Sequence, residues 1–137
     1  MNPLQRFRFP KSEKLKSKKY FEETLLYGKK LYSENQTIRC FYQLKNFTDL
    51  RFQAAFIVGK KNGTAVWRNR FKRILREIFR LHKHKFFSSL ETKGKSLFVI
   101  FSSHRLNQKQ NNVLRYKDFE PEMLGMMNVI QNDSELQ

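Results

Sequence analysis

Ten basic residues fall between positions 60 and 85 (Lys60, Lys61, Arg68, Arg70, Lys72, Arg73, Arg76, Arg80, Lys83 and Lys85), with Glu77 as the one acid among them. Cationic side chains at this density bind polyanions, and guanidinium forks suit phosphate oxygens, which they grip through two N–H groups at once. At about 100° per residue, Trp67, Phe71, Ile74, Leu75 and Ile78 share one side of a helix. Asn69, Lys72, Arg73, Arg76, Arg80 and Lys83 share the other, flanked by Arg68 and Arg70. Helical turns rise about 5.4 Å, so Lys72, Arg76 and Arg80 form a ladder of charge spaced much like phosphates along a nucleic-acid strand. A merely solvated face usually mixes signs to gain i,i+4 pairs, and here only Glu77 is available for that. A basic amphipathic helix can also lie on a membrane, but the apolar side of this one is the natural partner of neighbouring strands. Lys60 and Lys61, just ahead of the helix, extend the same patch.

The remaining reactive groups do not assemble into a catalytic centre. His82 and His84 stand together in a basic stretch with no acidic ligand nearby, so they read as surface residues rather than metal ligands. His104 falls in a polar segment, and Glu22 and Glu23 have no partner for acid–base work. Gly59 and Gly63 belong to a turn, not to a nucleotide cradle. Cys40 is the only cysteine, which rules out an intrachain disulfide and a Cys-rich zinc site and points to a reduced, intracellular setting.

These groups need a scaffold, and the chain has the means to build one. It has 137 residues, 39 % hydrophobic and 15 % aromatic, enough for one domain with a real core despite a net charge of +16. A first helix is expected over residues 17–27, closed by Gly28. Residues 38–44 alternate as a strand, with Ile38, Cys40, Tyr42 and Leu44 on one face; residues 52–58 are apolar at nearly every position, as in a strand covered on both faces. Residues 45–49 read as a turn. Thr64 is the expected N-cap of the basic helix, residues 65–83, and a short buried strand follows at 97–101. Residues 102–115, rich in Asn and Gln, read as loop; Asp118 is expected to cap a last helix reaching residue 130, with Pro121 in its first turn.

The order helix, strands, helix, strand, helix implies an α+β fold, a single-domain two-layer sandwich on a small mixed sheet of about four strands. Residues 1–14 are expected to form a basic N-terminal extension, 15–130 the domain, and 131–137 an acidic, flexible tail. No signal-peptide core precedes residue 10, and the longest clean apolar run, 97–101, is far too short to span a bilayer. The cytoplasm is the expected compartment.

From Gly59 to Glu77 the sequence reads GKKNGTAVWRNRFKRILRE. This stretch closely resembles the Arg-Asn-Arg signature of the protein subunit of bacterial ribonuclease P, in spacing as well as residue type. A looser resemblance runs over residues 15–130. It implies a small α+β protein that joins a catalytic RNA subunit, in a ribonucleoprotein that endonucleolytically removes the 5′ leader from precursor tRNA. The catalytic groups are then expected in the RNA, with Mg2+ held mainly by RNA and substrate and none held by protein side chains alone. On this resemblance the positions facing the RNA subunit are Lys60, Lys61, Arg68, Asn69, Arg70, Lys72, Arg73 and Arg76, and the charge ladder adds Arg80. The family's leader-binding aromatics fall at Phe21 and at Leu25, where this chain departs from the aromatic pattern, with Tyr42 on the first expected strand as a further candidate. Gly59 and Thr64 stand where the family usually has Ser and Asn. Neither membrane nor DNA is an expected partner. The alternative is a general RNA-binding or ribosome-associated protein without a processing role. A protein-only nuclease would need clustered carboxylates, and a helix-turn-helix DNA binder would need a short helix just before the basic one.

Overall fold

The computed structural model describes residues 8–133 apart from 47, 48 and 50, together with the backbone but not the side chain of residue 87. The elements run α1 (Lys18–Tyr27), β1 (Lys29–Tyr32), β2 (Ile38–Lys45), β3 (Phe52–Ile57), α2 (Ala65–Thr92), β4 (Ser96–Ser103) and α3 (Tyr116–Gln131), with single 3-10 turns at Lys11–Glu13 and Lys60–Asn62. The four strands form one mixed sheet in the order β1-β2-β4-β3. β4 is antiparallel to β2 and parallel to β3, so α2 is the crossover that joins the parallel pair. The expected α+β class and four-stranded mixed sheet are what the chain adopts.

Burial explains that strand order. All eight residues of β4 are buried, and it occupies the interior of the sheet. β3, whose apolar run reads like a doubly covered strand, is an edge strand with only Ala54 buried. Its apolar side chains are half-buried on both faces instead. β1, the edge beyond β2, carries no alternation that would announce it: Lys29, Lys30 and Tyr32 are exposed and Leu31 half-buried. It is a short strand held by its backbone ladder, with Lys29 opposite Tyr42 and Tyr32 opposite Arg39.

Alternation along the central strands sends side chains to two separate cores. Ile38, Cys40, Tyr42, Leu97, Val99 and Phe101 meet α2 and α3, while Phe41, Phe98 and Ile100 meet Tyr20, Phe21 and Leu25 of α1. The two-layer arrangement therefore describes the α2 and α3 side, and α1 adds a partial layer on the opposite face. Ser17 caps α1 by accepting from the Tyr20 N–H, and Gly28 ends it in extended rather than left-handed geometry. A Cβ on Gly28 would lie 2.4 Å from the Thr24 carbonyl oxygen and 2.8 Å from that of Tyr42. Backbone on both sides cannot give way, so Gly28→Ala is expected to cost about 2–3 kcal/mol, checked by urea unfolding.

α2 runs nine residues past its expected end at 83 because Phe86 and Leu90 continue the buried stripe of Phe71, Leu75 and Phe79. The residue that hides this continuity is Lys83. Assigned by its charge to the basic face, it is only 3 % exposed, and its ammonium donates to the Glu13 carboxylate and the Arg8 carbonyl. The segment expected as an extension is thus part of the fold from residue 8 onward: Phe9 packs edge-on against Phe56 and Phe79, and the Leu15 N–H donates to the Ala54 carbonyl. α3 starts at Tyr116, so Asp118 lies inside its first turn rather than capping it, and Pro121 sits in the helix interior. Asp133, assigned to the flexible tail, is 9 % exposed and bonded to Lys29 and to the Tyr42 hydroxyl. Residues 134–137 lie outside the described residues.

Candidate nucleic-acid interface

The basic side of α2 separates into three groups by what each cation touches. Lys60, Lys61, Asn69, Arg73 and Arg76 are exposed, Lys72 is half-buried, and none of their side chains makes a hydrogen bond or ion pair with any described residue. Arg68 and Arg70 spend one edge of the guanidinium on carbonyls: Arg68 Nε donates to Gly63 O at 3.1 Å, and Arg70 Nε and Nη2 donate to Leu114 O at 3.2 and 3.1 Å. The other donors of each five-donor fork stay available. Arg80 is different. Its Nε and Nη2 lie 2.9 and 2.7 Å from Glu77 Oε2, so the third rung of the expected ladder is already held by a carboxylate.

The N-terminus of this helix is fixed from outside. Thr64 Oγ1 accepts from the Trp67 N–H as expected of an N-cap. Residues 104–115, expected to be plain loop, bind it at several points. Gln108 Oε1 accepts from the Thr64 N–H, Gln108 N donates to Asn62 O, and Trp67 Nε1 donates to Asn111 O at 2.9 Å. The Asn and Gln content is thereby accounted for: short amides supply donors and acceptors that tie an irregular segment to a helix end. At Gly63 a Cβ would sit 2.6 Å from the Trp67 ring and 2.9 Å from Gln108 Cβ. The glycine is required by this close approach, not by a left-handed conformation.

A second surface lies on the α1 face of the sheet. Phe21 and Leu25 are half-buried there, beside Phe41, Phe98 and Ile100, and Tyr20 stacks on Phe98 at 4.8 Å between centroids. Tyr42 does not join them. It is 3 % exposed, lies in the core under α2 and α3, and donates its hydroxyl to Asp133. The strand aromatic on the α1 side is Phe41, one residue earlier. The alternation that puts Ile38, Cys40, Tyr42 and Leu44 on one face already carries this information, since Tyr42 must follow the buried set and Phe41 the other.

His82 corrects a further expectation. An acid does lie near it, contributed by α3: His82 Nε2 and Glu120 Oε2 are 3.0 Å apart, and the Tyr116 hydroxyl donates to the same oxygen at 2.7 Å. The Tyr116 bond, with a smaller contribution from His82, holds the Glu120 carboxyl below its ordinary value. Burial, reinforced by Glu120, pushes the Tyr116 phenol up to about 12. A folded-state value above the ordinary 10 means that this stabilisation is whole below about pH 10 and is lost as pH rises through about 12. Tyr116→Phe is therefore expected to flatten the loss of stability over that interval, read from urea midpoints.

No three His, Cys, Asp or Glu side chains gather among the described residues to hold a metal ion. Burial pushes the Cys40 thiol up to about 12, which leaves it inert. No helix among the described residues is long and apolar enough to cross a membrane.

The family model described as Ribonuclease P matches residues 9–120. A ribonuclease P protein component from Syntrophus aciditrophicus is 29 % identical over 113 residues, covering 82 % of this chain and 87 % of that one. Its counterpart from Dictyoglomus thermophilum is 40 % identical over 77 residues, 56 % of this chain and 61 % of that one. In fold, the chain is similar to the Staphylococcus aureus RNase P protein, with a TM-score of 0.64 at 19 % identity over 88 % of this chain and 96 % of that one. The RNase P protein from Thermotoga maritima gives a TM-score of 0.64 at 23 % identity over 84 % and 94 %. With a family model spanning most of its length, the chain belongs to the ribonuclease P protein family.

Proposed function

We propose that this chain is the protein subunit of a ribonuclease P ribonucleoprotein. It binds the catalytic RNA through the exposed side of α2 and the 5′ leader of precursor tRNA on the α1 face of the sheet. The observation that carries this reading is the set of cations on and just ahead of α2, Lys60, Lys61, Lys72, Arg73 and Arg76, which have no partner among the described residues. Like charges on neighbouring turns destabilise a helix, and phosphates of a second molecule offset that repulsion. The α1 face is the opposite side of the sheet from α2, so one chain can hold two RNA segments at once. Phe21 and Leu25 supply an apolar surface on which single-stranded bases can rest without much sequence choice.

Among the described residues no three His, Cys, Asp or Glu side chains gather to hold an ion, and no step is assigned to a protein-held one. Magnesium belongs with the phosphates of the RNA subunit and substrate, and the protein lowers the amount needed by adding fixed positive charge. If about six phosphates are neutralised, the logarithm of the assembly constant should fall against the logarithm of salt concentration with a slope of about −4 to −5. The decisive experiment adds the purified chain to a bacterial ribonuclease P RNA at low magnesium and follows release of the leader. Restored cleavage supports the proposal. Tight RNA binding with no gain in cleavage would make the chain a general RNA-binding protein instead.

A further inference from the structure

The segment that clamps the start of α2 has an outer side that the fold does not use. Residues 104–117 read HRLNQKQNNVLRYK, with four cations and no acid. Gln108, Asn111 and Leu114 are its inward positions. Gln108 and Asn111 hold the residues from Asn62 to Trp67, and the Leu114 carbonyl accepts from Arg70. Lys109 and Arg115 each stand one residue past an anchor, at the two ends of the clamp, and both are exposed. Neither side chain makes a hydrogen bond or ion pair with a described residue.

The amides between those two ends are turned to donate. Gln110 Oε1 accepts from Asn107 Nδ2, and Asn112 Oδ1 accepts from Gln108 Nε2, both at 3.3 Å. With these oxygens engaged inside the segment, the NH2 groups of the exposed Gln110 and Asn112 are left to donate outward, beside an ammonium and a guanidinium. The outer side is therefore rich in donors and empty of carboxylates. An RNA backbone is its complement, offering phosphate and ribose oxygens. On α2, counting about 100° per residue from Val66, Arg70 lies about 40° toward the clamp. Arg73 and Arg76 lie about 20° and 80° the other way. Val66, 80 % exposed, thus stands between the clamp and the outer arginines, and Val113 on the clamp is 63 % exposed.

We infer that residues 109–115 form a second ridge of the RNA-subunit interface, and that this ridge and α2 together seat a base-paired stretch of that RNA across its minor groove. The inference rests on the proposed use of α2 and adds the shape of RNA that it takes. Base-paired RNA is favoured over single-stranded RNA because the ridge, from Arg105 to Arg115, has no aromatic residue on which an unpaired base could stack. The minor groove of an A-form helix is wide and shallow and displays ribose 2′-hydroxyls between its two phosphate edges. Lys109 and Arg115 reach one edge, Arg73 and Arg76 the other, and the amide donors and valines meet the riboses between. The RNA subunit is favoured over precursor tRNA because Arg70 joins the two ridges: it donates to Leu114 O and keeps further donors one helical turn from Arg73. Leu106 and Leu114 also seat the clamp in the core shared with α2 and α3, away from the α1 face.

The test follows assembly of the full chain with a bacterial ribonuclease P RNA as salt is varied, together with hydroxyl-radical footprints on that RNA. Lys109→Gln combined with Arg115→Gln is expected to weaken assembly about tenfold at physiological salt and to flatten the log–log salt slope by about 2. Thermal unfolding of the free variant should match wild type, because neither side chain bonds to a described residue. In the footprint this variant should lose protection on one strand of a paired stretch. Arg73→Gln combined with Arg76→Gln should lose it on the facing strand, across the same minor groove. Loss confined to single-stranded nucleotides would overturn the inference, as would normal assembly with weakened binding of precursor tRNA by the holoenzyme. If the α2 variant weakens assembly and the clamp variant does not, α2 stands and the second ridge falls; if neither does, both fall.

Discussion

Replacing Lys72, Arg73 and Arg76 together by Gln is expected to weaken assembly with the RNA subunit at least about a hundredfold at physiological salt, while the thermal unfolding of the free protein barely moves. The magnitude follows from about 1 kcal/mol or more for each charge-assisted contact to phosphate. The invariance of folding follows from the structure, since none of the three side chains bonds to any described residue. Relief of repulsion between successive turns should keep the stability change within about 0.5 kcal/mol. The salt dependence gives an independent check, because losing three phosphate contacts should flatten the log–log slope by about 2. Arg70 is left out of the set because its bonds to Leu114 O make it part of the fold as well as of the surface. An assembly constant that survives the triple replacement would remove α2 as the RNA-binding element.

Lys83→Met is expected to do the reverse. Its ammonium is buried against the Glu13 carboxylate and the Arg8 carbonyl and lies 5.7 Å from the Phe9 ring centroid. Removing one partner of a buried pair leaves the other charged and poorly hydrated, which costs about 3–5 kcal/mol when both are fully covered. The Glu13 side chain retains 22 % exposure, so about 2–4 kcal/mol is the better expectation. For a domain of this size that lowers the melting temperature by roughly 10 °C. Below the transition, RNA assembly should be unchanged, because Lys83 does not reach the outer face of α2. The two variants together separate the charges that bind from the charge that holds the N-terminal segment in place.

The contrast between these lysines shows where sequence reasoning succeeds and where it stops. Helical periodicity located α2, its N-cap Thr64 and most of its exposed cations, because an amphipathic rod with one apolar stripe leaves few alternatives. It could not tell Lys83 from Lys72, since both are lysines and only a carboxylate seventy residues earlier in the chain makes one of them internal. The acidic partners of Arg80 and His82 are hidden for the same reason. Glu77 claims the first, and Glu120 comes to the second from another helix. β1 has no side-chain signature, because what fixes it is the backbone ladder to β2. The irregular segment at 104–115 was legible as loop but not as a clamp, because amide side chains announce polarity and not their destination. On the α1 side, family spacing points to Phe21 and Leu25, while strand alternation alone puts Phe41, not Tyr42, on that face.

The position of β4 has a consequence for synthesis. It is the last strand along the chain, yet it lies between β2 and β3, and β3 pairs with no other strand. A ribosome that has delivered residue 95 has delivered both neighbours of the missing strand. The β1–β2 hairpin can close at that stage, but β3 has no ladder to join and the apolar stripe of α2 has only part of its floor. The residues that pin the start of α2, Gln108, Asn111 and Leu114, emerge later still. The nascent chain therefore carries the arginines of α2 well before the residues that hold the start of that helix in register have emerged.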